Sequence, residues 1–162
     1  VTVQIAELNT RQDKEAQADQ AHAQWKDKRS DFTAWLRLWH ALDSARREGK
    51  GSTNSVRRFA KKNYLNFRRA MEWMNLHREI RSVLKDLKWR LPDERKAMPD
   101  PEGSFDEGLH KALLAAIPSH IGMHQNKKGR GYKGARNREF WIHPGSCLKN
   151  SAPGWVLSLI HI

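Results

Sequence analysis

The longest periodic segment of this chain runs from Tyr64 to Leu91, and it predicts one long helix. Apolar side chains recur along it at the three- and four-residue spacing that places them on one side of a helix. They are Phe67, Met71, Trp73, Met74, Leu76, Ile80, Val83, Leu84 and Leu87. Seven arginines and lysines lie around this wide apolar stripe. The segment therefore favours a mainly helical fold.

Three further helices are predicted before it. The segment from Asp13 to Lys28 is rich in Ala, Gln, Glu and Lys but poor in large apolar side chains, which indicates an exposed helix. Ser30 is placed as the N-cap of the next helix, which ends before the loop Gly49–Gly51. The apolar face of that helix contains Phe32, Trp35, Leu36, Trp39 and Leu42. Ser52 to Asn63 reads as a short basic helix with Val56 and Phe59 facing inward.

A break in composition separates this helical region, residues 1–91, from a second unit. Residues 92–104 contain three prolines and four acidic residues without periodicity, which is typical of a linker. Ser104 and Glu107 form a capping-box pattern for a helix from Asp106 to about Ile117, with Leu109, Leu113 and Ala116 as its buried face. Strands are predicted near Ile121–Gln125, Gly131–Lys133 and Glu139–His143, with another beginning at Trp155. The predicted class is α+β, mainly α.

The strand region contains a basic stretch with aromatic neighbours. Between Lys127 and Arg138 there are six basic residues and no acidic one, and Tyr132, Phe140 and Trp141 lie nearby. Proteins bind single-stranded nucleic acid through cationic side chains, which contact the phosphates, and through aromatic rings, on which the bases stack. The alternative is a solvated basic loop on an ordinary β-domain.

Charge and cysteine content narrow the choice of partners. The 162 residues include 30 Lys and Arg against 18 Asp and Glu, a formal charge of +12, which predicts affinity for nucleic acid or an anionic membrane surface. The single cysteine, Cys147, excludes a disulfide framework and a cysteine-based zinc site, and it fits a reducing, cytoplasmic compartment. No apolar run approaches the roughly 20 residues needed to cross a bilayer.

Several blocks of the chain resemble one protein family in the same order. SDFTAWLRLW and NSVRRFAKKNYLNFRRAMEWMNLHREI look like the helical helicase-associated region of DEAH-box RNA helicases, in particular the bacterial HrpA type. LHKALLAAIPSHIGM, YKGARNREFWIHPGSCL and PGWV are similar to the start of the OB-fold of such helicases. The match covers most of residues 18–156. It departs from the family at residues 5–12, which lack the expected Asp-Pro-Arg-Glu-Arg string, and the OB-like part stops after a few strands.

The resemblance implies a parent protein that hydrolyses ATP with Mg²⁺ and translocates on RNA. The chain has no GxxxxGK[ST] loop and no DEAH string, so catalytic, cofactor and metal residues are assigned to motor domains that are missing here. The expected partners of the fragment are single-stranded RNA, or DNA, and those motor domains, with no membrane. The alternative is a stand-alone basic RNA-binding module without catalysis. The gene sequence upstream of Val1 distinguishes the two.

Eleven residues are candidates for nucleic-acid contact. The predicted phosphate contacts are Arg57, Arg58, Lys61, Lys133, Arg136, Arg138 and Lys149, and the predicted stacking residues are Tyr132 and Trp141. Trp141 is equally acceptable as a core residue of the barrel. His143 and Ser146, in the HPGS motif of the family, are predicted either to form a turn or to contact RNA.

Both ends of the chain suggest a fragment. The sequence starts without methionine, and residues 157–162 resemble the translated read-through of a sequencing adaptor. Those six residues are therefore left out of the fold prediction. The expectation is an internal piece of a longer protein.

Overall fold

The computed structural model describes residues 15–91, 107–125 and 131–159. Within these residues the chain forms five α-helices and one four-stranded antiparallel sheet, which confirms the predicted α+β, mainly α class. The helices are α1 (Glu15–His22), α2 (Asp31–Glu48), α3 (Thr53–Lys62), α4 (Phe67–Asp86) and α5 (Glu107–Ala116). The strands are β1 (Ile121–His124), β2 (Gly131–Lys133), β3 (Glu139–Trp141) and β4 (Trp155–Leu157).

The described residues fall into two compact units. The sheet unit combines Lys26–Ala34 with residues 107–125 and 131–159, and the helical unit combines residues 15–25 with residues 35–91. The predicted linker and the N-cap Ser104 lie outside the described residues, as do Lys127, Lys128 and Arg130 of the basic stretch. The predicted boundaries therefore stay predictions.

The core of the helical unit is built from α2, α3 and α4. Leu42, Val56, Ala70 and Met74 form one buried cluster, and Trp25, Leu38, Ala60 and Leu65 form another. Trp35 and Trp39 both pack against Trp73, at ring centroid distances of 5.5 and 5.2 Å. The two-tryptophan face predicted for α2 is therefore confirmed as a packing face.

The N-terminal helix is less exposed than its composition predicts. Ala18, His22 and Trp25 are buried, and the Nε2 atom of His22 hydrogen-bonds the carbonyl oxygen of Asn63 at 2.8 Å. A small side chain allows close approach of the helix, and a hydrogen-bonded imidazole can be buried at low cost. The prediction of an exposed helix holds for most positions of this segment but missed its buried side, which combines a small, a polar and a large apolar residue.

Helix α4 buries only part of its predicted apolar stripe. Met74 is buried, whereas Leu76, Ile80, Val83 and Leu87 are between 50 and 60% exposed. At 100° per residue these four side chains lie roughly opposite Met74, so the helix turns a second apolar face away from its own core. The single wide apolar stripe predicted from the sequence therefore consists of two separate faces of the helix.

Three helices end at a non-glycine residue in the left-handed backbone region. Lys50, Tyr64 and Lys88 have φ angles of 52°, 56° and 57°. After α4, the amide of Lys88 donates to the carbonyl of Lys85 and the amide of Trp89 donates to the carbonyl of Leu84, which is the Schellman arrangement. The predicted helix from Tyr64 to Leu91 is accordingly shorter at both ends.

The sheet has the strand order β3-β2-β1-β4, with every neighbouring pair antiparallel. Its inner face packs Tyr132, Phe140 and Val156 against Ile142 and Leu148. Gly122 of β1 is required there, because a Cβ atom at this position would overlap the ring of Phe140. The four strands confirm the predicted ones, and β4 includes Leu157 from the segment that the fold prediction left out.

Helix α5 lies in the sheet unit without a fully buried residue. Leu109 and Leu113 are half-buried and Ala116 is exposed, so the predicted buried face is only partly formed. Among the described helices, none combines the length and the apolar character needed to span a membrane.

Candidate nucleic-acid interface

The sheet has an outer face that carries two exposed tryptophans. Residues alternate between faces along a strand, so the neighbours of buried Phe140 and Val156 point to the opposite side. Trp141 and Trp155 are each 65% exposed, and Met123 between them is 44% exposed. We call Met123, Lys133, Trp141 and Trp155 the outer face. It offers flat apolar surface together with one cation, Lys133, and the exposed carboxylate of Glu139 lies directly across from Lys133 on the same side of the sheet.

The register spaces the two rings across the sheet. Met123 lies opposite both Trp155 on β4 and Lys133 on β2, and Trp141 lies opposite Gly131. The Nε1 atom of Trp141 is 3.6 Å from the position that a Cβ atom at Gly131 would take, so the indole lies beside this glycine. Three strand spacings separate β3 from β4, which is about 14 Å. Bases stacked on the two tryptophans would belong to nucleotides that are not adjacent.

Two outer-face residues were missed from the sequence. Trp155 was identified only as the start of a strand, and Met123 was not considered as a contact. The available signal was the alternation of side chains along a strand. Trp155 and Leu157 flank Val156 in β4, just as Trp141 follows Phe140 in β3. That alternation separates the residues of a strand into two sets, but it does not say which set faces the core.

Tyr132 cannot serve as the predicted stacking residue in this arrangement. Its ring is 1% exposed and stacks on Phe140 at a centroid distance of 5.7 Å. Its hydroxyl donates to the carbonyl oxygen of Pro153 at 2.8 Å, and burial raises the pKa of this phenol. Tyr132 is a core residue, because β2 directs it to the same side as Phe140.

The turn between β2 and β3 presents two arginines to solvent. Arg136 and Arg138 are both exposed, and Lys133 precedes them at the end of β2. Arg136 and Asn137 have φ angles of 56° and 60°, and the turn is closed by a hydrogen bond from the Gly134 amide to the Arg138 carbonyl at 2.7 Å. Left-handed backbone at a residue such as arginine costs about 1 kcal/mol or more and often occurs at functional turns.

The HPGS motif forms a turn that is tied to the first residue of α2. The Ser146 hydroxyl donates to Oδ2 of Asp31 at 2.6 Å, and the Cys147 amide donates to Oδ1 at 3.1 Å. The Gly145 amide donates to Nδ1 of His143 at 3.1 Å. These contacts support the turn-forming alternative for His143 and Ser146. Lys149, three residues further on, is exposed.

Cys147 is unsuited to nucleophilic chemistry. Burial, reinforced by the negative charge of Asp31, raises the pKa of its thiol to about 12. The group is therefore protonated at neutral pH, whereas a cysteine nucleophile requires the thiolate. Within residues 15–91, 107–125 and 131–159, no cluster of three or more His, Cys, Asp or Glu side chains could hold a metal ion.

We expect Asp31→Ala to destabilise the sheet unit by about 3 kcal/mol or more. The substitution removes the carboxylate that accepts from both Ser146 and Cys147, and hydrogen bonds to charged groups contribute about 1.5 to 3 kcal/mol each. Urea unfolding measures the change. Ser146→Ala removes one of the two bonds, together with the bond that the Ser146 hydroxyl accepts from the Leu148 amide, but it leaves the charge-assisted bond from the Cys147 amide and should have a smaller effect. Equal stability of Asp31→Ala and wild type would contradict a structural role for this turn.

The helical unit carries its own cationic face on α3. Arg57, Arg58, Lys61 and Lys62 are exposed, Val56 is buried and Phe59 is half-buried, as the sequence predicts, and Ala60 also faces the core. The guanidinium carbon of Arg57 lies 4.6 Å from the ring centre of Phe67, a cation–π contact that restricts this side chain. Arg58 and Lys61 project into solvent and keep their charge available for a polyanion.

Two proteins of known class match nearly the whole chain. No protein-family model matches it. It is 34% identical over 147 residues to the ATP-dependent RNA helicase HrpA homolog of Haemophilus influenzae, and 36% identical over 146 residues to the ATP-dependent RNA helicase HrpA of Escherichia coli K12. These alignments cover 91% and 90% of the chain but only 10% of each relative.

Both relatives are ATP-dependent RNA helicases, and the chain is homologous to a segment of proteins of that class. Both relatives are named HrpA, which confirms the resemblance to the HrpA type that was drawn from the sequence. The chain spans about a tenth of the length of these relatives.

Proposed function

We propose that this chain is an accessory segment of an HrpA-type RNA helicase and that it binds single-stranded RNA on the outer face of its sheet unit. The observation that carries the proposal is the pair of 65% exposed tryptophans on that face. Base stacking on aromatic side chains is largely independent of sequence, as a protein that moves along RNA requires. Lys133, at the end of β2, and Arg136 and Arg138, in the turn that follows it, would contact phosphates.

The activity of the parent protein is part of the proposal. The relatives are named as ATP-dependent RNA helicases, and we infer that the parent of this chain hydrolyses ATP to remodel RNA. The chain itself lacks a phosphate-binding GxxxxGK[ST] loop and a DEAH string, so its share is to hold RNA for motor domains elsewhere in the same protein.

We also propose that the sheet unit is an incomplete OB-type barrel. An OB-fold is a five-stranded barrel, and the order β3-β2-β1-β4 leaves β3 and β4 as open edges. Phe140 and Ile142 on one edge and Val156 on the other border a cavity of about 940 Å³. A fifth strand between these edges would fill that space and leave the outer face exposed.

The test is RNA binding by the 162-residue chain, measured by fluorescence anisotropy with a labelled single-stranded RNA of about ten nucleotides. We expect binding that weakens steeply with salt, because released counterions drive the association. A blunt duplex of the same sequence should bind more weakly, since its bases cannot stack on tryptophan. Equal affinity for the two, or a flat salt dependence, would overturn the proposal.

Replacing Arg136 and Arg138 with alanine should weaken RNA binding by about 25-fold at 0.1 M salt and make the slope of log K against log salt less steep by about 1.4. Each lost phosphate contact on a single strand accounts for half of that change in slope. Affinity for different RNA sequences should fall equally. The matched control is Lys85→Ala with Arg90→Ala, which removes two exposed charges from the helical unit. An equal loss in the control would assign the effect to net charge alone.

A further inference from the structure

The helical unit contains a second cavity that takes no part in the proposed RNA contact. It has a volume of about 430 Å³ and lies among α2, the start of α3 and α4. Pockets that bind small molecules begin at about this size. All of its lining residues belong to the helical unit, so none is shared with the outer face.

Arginines dominate the charge of this cavity. Arg46, Arg78 and Arg81 line it, and Asp43 is the one carboxylate among its lining residues. Asp43 is buried and is contacted by Arg46 at 3.1 Å and by Arg47 at 2.5 Å. Arg78 donates to the amide oxygen of Asn75 at 2.5 Å, and this partner carries no negative charge.

The other side of the cavity is apolar and aromatic. Trp39, Met71 and Met74 line it, and the imidazole of His77 lies 4.3 Å from the indole of Trp39 between ring centres. A ligand that fits both sides carries a flat apolar group and an anionic group. A phosphate monoester has about −1.5 to −2 charges at neutral pH, and arginine binds it through paired N–H groups.

We propose that this cavity binds a nucleoside monophosphate, with the phosphate beside Arg46, Arg78 and Arg81 and the base beside Trp39. The same chemical group has two sources, a free nucleotide or the phosphorylated 5′ end of an RNA strand. The site does not depend on the outer face, and its test is separable from that of RNA binding.

Isothermal titration of the 162-residue chain with adenosine monophosphate, adenosine and inorganic phosphate tests the proposal. We expect the monophosphate to bind at least tenfold more tightly than either part alone. Arg78→Ala should lower its affinity at least tenfold, because a charge-assisted hydrogen bond is lost. Arg68→Ala is the matched control, since it removes an exposed arginine from the same helix but does not border the cavity. Far-UV circular dichroism confirms that both variants stay folded.

A second comparison identifies the source of the phosphate. If a 5′-phosphorylated RNA binds more tightly than its 5′-hydroxyl form, and Arg78→Ala removes that preference, the site takes an RNA end. If the monophosphate binds and the two RNAs bind equally, the site takes a free nucleotide. If neither ligand gains affinity from its phosphate, or if Arg78→Ala and Arg68→Ala behave alike, the proposal is overturned. The variant Trp141→Ala with Trp155→Ala should bind the monophosphate normally.

Discussion

Replacing Trp141 and Trp155 together with alanine should weaken single-stranded RNA binding at least about thirtyfold. Each base stacked on an aromatic side chain contributes about 1 to 3 kcal/mol, and the two rings lie too far apart to share one base. Both side chains are 65% exposed, so the protein should keep its stability. Fluorescence anisotropy at constant salt measures the loss.

The chain provides a closely matched control for this double variant. Trp89 is also 65% exposed but belongs to the helical unit, near the end of α4. Trp89→Ala should bind RNA like wild type. If Trp89→Ala weakens RNA binding as much as the outer-face variant does, any exposed indole contributes to binding. The outer face would then not be a specific RNA-binding surface.

Tyr132→Ala should destabilise the sheet unit by about 4 kcal/mol. Truncating a large buried aromatic side chain costs about 3 to 5 kcal/mol, through lost burial and the cavity that remains. Tyr132 is 1% exposed, and its hydroxyl donates to the Pro153 carbonyl, so a hydrogen bond is lost as well. Hydrogen exchange of the β1 and β2 amides, followed by mass spectrometry, reports the stability of this unit separately.

The companion variant Tyr132→Phe separates a core role from a stacking role. It keeps the ring and removes only the hydroxyl, so we expect a loss of about 1 kcal/mol in stability and no change in RNA affinity. If Tyr132→Ala were as stable as wild type and yet bound RNA poorly, the ring would be an RNA contact and its burial in the core would be contradicted.

Elements with a strong local signal were predicted well from the sequence. Helix α3 lies within the predicted range Ser52 to Asn63, and its basic residues face solvent as predicted. Strand positions were also correct, because aromatic and β-branched runs between glycines have a clear local signal. The ends of α4 were not. This helix stops before Lys88, which has left-handed backbone although its residue type carries no such signal in the sequence.

The candidate site was predicted only in part, because it depends on tertiary packing. A three-residue strand with adjacent aromatic rings at Phe140 and Trp141 fits either orientation. Gly122 favours the observed orientation from β1, two strands away from β3, because its missing side chain leaves room for the ring of Phe140. The same packing places Tyr132 inside and Trp155 outside. No local pattern contains that information.

The most direct test of the account is to map where RNA touches the protein. A single-stranded RNA containing 5-iodouridine, crosslinked to the 162-residue chain under ultraviolet light, should yield modified peptides that contain Trp141 or Trp155. Competition with unlabelled RNA should remove these crosslinks, and the Trp141→Ala with Trp155→Ala variant should lack them. Competable crosslinks confined to the helical unit, with none between residues 121 and 157, would contradict the account.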